Sequence, residues 1–288
     1  MARFATSCRR VVIAALVVAG LALPRESAAA WAHVQTNGTE TAAAGSTAAH
    51  TLTSSVTAGN HLTCGVVFTG TTFSSIASSP SNTWSSARVS VDDATFFLKV
   101  FDADNVASGS TTVTVTFSDA LGSLKYLGCT EHSGVATSSA FDQSQGQYQA
   151  APGTGTDGIT TTNTGATAAD NELVVGMLFT RTAAPTLNAG TNFTERLQAS
   201  TAFYAFDVED RNLATAGAVA ATWTTNVDVG TASVVVTFKE PTCSASDNFL
   251  LEGSTDCILL EGASNGALLL EPAAASTAGG GLTTLGVR

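Results

Sequence analysis

Glu131-His132-Ser133 has the most reactive composition of any trio in this chain: a carboxylate, an imidazole and a hydroxyl in succession, the material of proton relay or nucleophilic attack. The trio closes a stretch that reads as a β-strand, where neighbours point to opposite faces, so Glu131 and His132 are not expected to touch. His33, His50 and His61 are scattered along the sequence, the first two in edge-like N-terminal strands and the third at a strand start. With no CxxC pair to join them, a zinc site is not expected. Acidic clusters supply oxygen ligands of the kind calcium takes: Asp92-Asp93, Asp102 with Asp104, and Asp207 and Glu209 with Asp210. None forms a DxDxDG loop, and solvated strand ends account for them equally well. No cofactor is expected, and calcium on Asp102, Asp104, Asp207, Glu209 and Asp210 stands as the alternative. A glycosidase would need two of these acids in one cleft, a separation the sequence does not give.

Two motif fits fail on context. Gly153-Thr154-Gly155-Thr156-Asp157-Gly158 fits GxGxxG, but no buried parallel strand precedes it and no helix follows to face a pyrophosphate. It reads as a loop. Gly262-Ala263-Ser264-Asn265-Gly266 fits GxSxG, yet it joins two short leucine strands rather than a strand and a helix, and reads as a turn.

The elements that must position these residues are strands. From Trp31 to about Glu240 the chain is rich in Thr, Val, Ser and Ala, punctuated by Gly, Asn and Asp, with period-2 alternation. Thr111-Thr112-Val113-Thr114-Val115-Thr116-Phe117 alternates cleanly, placing Val113, Val115 and Phe117 on a buried face. Asn60-His61-Leu62-Thr63-Cys64-Gly65-Val66-Val67-Phe68 is echoed by Asn171-Glu172-Leu173-Val174-Val175-Gly176-Met177-Leu178-Phe179. Further on, Trp84 answers Phe193, Phe96–Asp102 answers Phe203–Glu209, Phe117 answers Trp223, and Tyr126–His132 answers Ser233–Lys239. These echoes define repeats at about 31–135 and 141–240, joined by a linker from Ser133 to about Gln149. The expected fold is all-β, an antiparallel, jelly-roll-like β-sandwich built by internal duplication, with one sandwich of two sheets preferred over two small ones. Trp84, Trp223, Phe117 and Phe238 are assigned to the core, and Trp31, Tyr148 and Tyr204 are the loose aromatics that could present an exposed platform.

Arg3, Arg9 and Arg10 precede an apolar run, Val11 to Leu23, that ends at Pro24 and a small-residue stretch before Trp31, the pattern of a secretory signal over residues 1–30. Its removal takes Arg3, Arg9, Arg10, Arg25 and Glu26 from 12 basic and 23 acidic side chains, leaving a net charge of about −14. That field repels a phosphate backbone, so nucleic acid is not an expected partner. Four cysteines then remain for an oxidising compartment. Cys243 with Cys257 closes a short loop and is the first pairing expected. Cys64 and Cys129 face inward as either a core disulfide or two buried thiols. Beyond Glu240, Leu250-Leu251-Glu252, Leu259-Leu260-Glu261 and Leu269-Leu270-Glu271 form a strand-and-turn repeat over 241–271, and the composition of 272–288 suggests a disordered end.

At Asn171–Gly176, Glu131–Val135 and Val208–Arg211 the chain resembles an uncharacterised β-sandwich domain of secreted bacterial and phage-associated proteins, in which NELVVG, EYSGV and AEDR segments recur. The likeness covers about residues 31 to 240, with His132 where the pattern usually has Tyr. The LLE repeats look like C-terminal leucine-rich strand repeats of some phage structural proteins. The resemblance implies fold and export but no activity. The function expected is a non-catalytic exported surface, adhesion or structural module, partnering a protein or glycan surface or itself through the LLE tail. A carbohydrate-binding accessory module, calcium-assisted or not, and a phage virion structural protein are the alternatives.

Overall fold

The computed structural model describes residues 31–41, 45–70, 72–92, 96–121, 124–151, 157–181, 185–200, 204–241, 248–250 and 257–259. Residues 1–30, Cys243, the third LLE segment and the 262–266 turn lie outside them, as do the expectations attached to each. Ala29–Thr242 forms one compact unit. Its elements are β1 (Ala32–Thr41), β2 (Gly45–Thr51), β3 (His61–Thr69), β4 (Phe73–Ser79), β5 (Val89–Asp92), β6 (Phe96–Ala103), β7 (Thr112–Leu121) and β8 (Lys125–Ser133). They continue as β9 (Phe141–Gln149), β10 (Asp157–Thr160), β11 (Glu172–Thr180), β12 (Leu187–Ala189), β13 (Thr194–Ser200), β14 (Ala205–Leu213), β15 (Thr222–Thr225) and β16 (Thr231–Phe238). The expected all-β, antiparallel sandwich is what the chain forms, with no helix among the described residues. Outside this unit β17 (Asn248–Leu250) and β18 (Cys257–Leu259) pair antiparallel; each ends on the first leucine of an LLE segment, and the rest of those segments lies outside the described residues.

Four sheets, rather than two, carry the unit: β1-β8-β3-β6-β5 with β2-β7-β4, and β13-β14-β11-β16-β9 with β10-β15-β12. Advancing each strand number of the first half by eight reproduces the order of the second. Three apolar clusters separate the sheets. Leu62, Cys64, Val66 and Leu127 meet Val113, Val115 and Phe117 of the outer β7, and Val174, Leu178 and Val235 meet Ile159 and Trp223. Between the two five-stranded sheets Val67, Leu98, Val100 and Tyr126 meet Val175, Met177, Phe206 and Val234. The layers therefore run three, five, five, three, and β3, β11 and β16 are buried on both faces.

The echo and the facing of its residues part company here. Leu62, Cys64 and Val66 point into their own half, whereas their echoes Leu173, Val175 and Met177 point into the middle layer. A one-residue change of pleat moves every side chain to the opposite face. Where both faces are apolar, that change costs little, because burial does not select between them.

Further corrections concern the connections. The stretch read as a linker from Ser133 to Gln149 contains β9, an edge strand paired with β16. The stretch read as loop around Gly153–Gly158 contributes Asp157 and Gly158 to β10, paired with β15. Tyr204 is 2% exposed in the middle core rather than loose, and Trp84 sits half-buried in a loop instead of on a strand.

Cys64 and Cys129 are opposite one another on β3 and β8, and their Sγ atoms lie at disulfide distance, 2.09 Å, across a sequence separation of 65. Constraining so long a loop restricts the unfolded chain, and replacing both cysteines by alanine is expected to cost about 4 kcal/mol. Urea unfolding of the oxidised protein and of the double variant checks this, and coincident midpoints would refute it.

Candidate functional site

β8 runs between β1 and β3, and the ladder sets both His33 and His61 opposite His132. Residues directly opposite across antiparallel strands share a face, so three of the four histidines form a row, turned toward the second half. The His33 and His132 ring centroids are 5.6 Å apart, Trp31 meets His132 edge-on at 5.5 Å, and His61 lies 4.2 Å from the Phe238 ring. His132 and His61 are 0% and 1% exposed.

Carboxylates meet the row at its centre, His132, and at one end, His61. His132 Nε2 lies 2.9 Å from Asp210 Oδ2, to which Arg196 Nε also donates at 2.8 Å. His61 Nδ1 lies 3.0 Å from Asp104 Oδ1, and Asp104 Oδ2 accepts the Ala140 N–H at 3.3 Å. Arg88 grips Asp102 with two donors, Nε to Oδ1 and Nη2 to Oδ2, the latter at 3.1 Å. Burial pushes the His132 imidazole down to about 4, against the pull of Asp210, so the ring is neutral at pH 7. Burial alone would raise Asp210 and Asp104. The donors on them, His132 and Arg196 for the first and His61 and Ala140 for the second, more than offset it and hold both below the usual range. His61 Nε2 and His132 Nδ1 are buried without a hydrogen-bond partner among the described residues, and on the neutral His132 ring that nitrogen is the acceptor.

A His–Asp dyad invites a nucleophile, but Ser133 Oγ turns to the Ala32 carbonyl at 3.4 Å. Glu131 faces away, as the strand geometry requires. It accepts from Asn60 Nδ2 at 2.6 Å, from the Thr57 N–H at 3.0 Å and from Gln35 Nε2 at 2.6 Å, pinning the segment before β3. His61, Asp102 and Asp104 bring donor atoms within 4.8 Å of one another, as a metal would require. The Arg88 guanidinium already supplies the positive charge there, so the group reads as an ion-pair network.

The remaining calcium candidates are split by the pleat of β14. Asp210 faces the middle layer, whereas Asp207 and Glu209 face the outer core and are 0% exposed. Asp207 Oδ1 accepts the Trp223 indole N–H at 2.9 Å, and Glu209 Oε2 accepts the Gly190 N–H at 2.9 Å. Asp207 Oδ2 and Glu209 Oε1 are buried without partners. Burial, reinforced by neighbouring carboxylates, pushes Asp207 up to about 7 and Glu209 up to about 8. Glu172 rises to about 7, again chiefly through burial. The five acids thus do not form one coordination shell.

The histidine row is invisible to periodicity. Its members come from three separate segments and meet only through strand register, although each stands at the strand position expected for it. Comparison with protein-family models, with curated proteins and with solved structures yields no match to this chain.

Proposed function

We propose that the chain is a non-catalytic, exported β-sandwich module acting at a surface as an adhesion or structural element. The observation that supports this reading is the fate of its reactive groups. His132, His61, Asp102, Asp207, Glu209 and Asp210 are all at most 1% exposed, and each holds a hydrogen bond or ion pair to a neighbouring element. A reaction centre must admit its substrate, whereas a network sealed between sheets orients the sheets. Two finer statements belong to the same reading. The order β1-β8-β3-β6 beside β2-β7-β4 is that of a jelly roll whose β5 has joined the inner sheet, and its recurrence in the second half supports an internal duplication. The signal-like first 30 residues, the acidic exterior and the Cys64–Cys129 pair support export.

Attachment falls to the sheet edges and to the LLE repeats. Each half leaves edge strands whose unpaired backbone groups can accept a partner's strand without special side chains. No helix of the described residues is long and apolar enough to cross a membrane. Sedimentation of the full chain over a wide concentration range, compared with a chain ending at Glu240, tests the self-association route. Oligomers that grow with concentration and vanish with the tail are expected, and a strictly monomeric full chain would overturn it.

A further inference from the structure

Five-stranded inner sheets facing three-stranded outer ones leave part of each inner sheet beyond the reach of its cover. In the first half this margin is the outer face of β6, which carries Phe97, Lys99 and Phe101 by alternation; Phe101 is 1% exposed beneath Phe73, so the strip is open only around Lys99 and the half-buried rings beside it. An open cleft of about 320 Å³ lies there, at the lower end of small-molecule sites, roughly 300–1,000 Å³. The half-buried rings of Phe73 and Trp84 form its aromatic wall, backed by the buried Phe101, and Ser75, Ser86 and Lys99 form its polar one.

The wall is built rather than incidental. Ser78 Oγ donates to the Pro80 carbonyl at 2.8 Å and accepts the Asn82 N–H at 3.2 Å and the Trp84 indole N–H at 3.2 Å, which fixes the tryptophan ring. The Ala107 N–H donates to Asn82 Oδ1 at 2.7 Å, and Ser85 and Asp102 exchange two hydrogen bonds of 2.9 and 3.0 Å, so the loop is tied at both ends. Phe73 stacks on Phe101 at 4.6 Å. A bulge between Phe73 and Ser75 re-aims this end of β4, a device found beside binding sites. On the polar side Lys99 Nζ donates to Ser90 Oγ at 2.9 Å, one use of an ammonium that carries three donors.

The second half treats the same strip differently. There β14 presents Asp207 and Glu209, sealed beneath Gly190 and Trp223, and Arg211 lies 5.3 Å over the ring of Phe193, the echo of Trp84. The open aromatic strip is a feature of the first half.

We propose that this cleft binds one pyranose unit of a neutral polysaccharide. A pyranose ring offers an apolar face of C–H groups to the electron-rich face of an aromatic ring, while its rim of hydroxyls needs donors and acceptors. The cleft supplies both at the scale of a single ring. A lipid chain or an apolar peptide would desolvate the Ser75 and Ser86 hydroxyls and the Lys99 donors that Ser90 does not take, and offer them nothing in exchange. A nucleotide or polyanion would approach against the chain's net negative charge. The inference goes beyond the surface-module reading and fails separately from it, since that reading is tested by self-association.

Affinity electrophoresis of the full-length protein through gels containing soluble β-glucan, xylan, mannan or galactan, with polygalacturonate as the charged comparator, tests the proposal. Retardation by at least one neutral polysaccharide is expected, weakened ~10-fold or more by Trp84→Ala, the size expected when a central aromatic anchor is removed. Because Trp84 also packs on the outer core, Ala87→Trp, placed to fill the cleft from an exposed lining position, is the second variant. It is expected to abolish retardation with an unchanged melting temperature. Absence of retardation by every neutral polysaccharide, retardation by polygalacturonate alone, or retardation that survives Ala87→Trp would each overturn the proposal.

Discussion

Between pH 5 and pH 8 the folded protein is expected to lose on the order of 4 kcal/mol of stability, the reverse of the usual acid lability. Asp207 and Glu209, pushed by burial to about 7 and about 8, keep their protons in the folded state at pH values where the unfolded chain has released them. Their stabilisation is fully present below about pH 4 and drains away as pH rises through 7 to 8. Glu172, at about 7, adds in the same direction. His132 opposes them. Its folded value of about 4 means that the unfolded chain gains a proton below 6.5 that the native ring refuses, so its contribution falls as pH drops from 6.5 toward 4. His33 and His50, lowered by burial but only partly buried, oppose in the same sense as His132, and the three raised carboxyls of Asp207, Glu209 and Glu172 keep the net sign. Asp104 and Asp210, held low, matter only at still lower pH. Thermal unfolding in a buffer series should show Tm falling by about 10 °C from pH 5 to pH 8. Asp207→Asn with Glu209→Gln should flatten the profile, because neutral isosteres keep the acceptors for Trp223 and Gly190. A wild-type Tm that climbs over this range would contradict the assignment.

Phe206→Ala is expected to cost about 5 kcal/mol, near the top of the range for an aromatic core truncation. The ring is fully buried in the middle layer, 4.7 Å from Tyr126. It is seated on Gly65 and Gly128, where a Cβ would come within 2.9 and 2.6 Å of it. Those two glycines are opposite partners on β3 and β8 and form a floor with no side chain that could relax into the void. The converse change, Gly128→Val, forces overlap with the ring and should destabilise comparably, whereas the double variant should recover part of the loss because the two sites share one space. Urea titrations of the three variants measure the coupling, and a neutral Gly128→Val would remove the basis for it.

Strand content and the outer cores were legible in the sequence, for a specific reason. Val113, Val115 and Phe117 alternate with threonines because β7 has one wet face, and the same rule placed Cys64 and Cys129 inward. Inner strands obey a different rule. Leu173 to Phe179 is apolar throughout, so nothing in it tells which residues meet Trp223 and which meet Tyr126, and the four-layer stack stayed hidden. Polar strands were undervalued for the same reason: Phe141-Asp142-Gln143-Ser144-Gln145-Gly146-Gln147 looked like linker, yet it completes an inner sheet as its edge. The candidate site was legible only as residue types. That Glu131 and His132 part company followed from pleating alone, but the meeting of His33, His61 and His132 depends on pairings between distant segments.

The seat of Phe206 has a consequence for assembly. At the centre of the mating faces the first half carries the socket, Gly65 with Gly128, and the second the plug, Met177 with Phe206, while toward the edge the roles reverse and Gly146 of the second half receives Val89 and Val91 of the first. Two copies of the first half would trap a void, and two of the second would collide. Each half therefore discriminates against its own kind, and a chain that carries both in tandem always brings the one complement that fits.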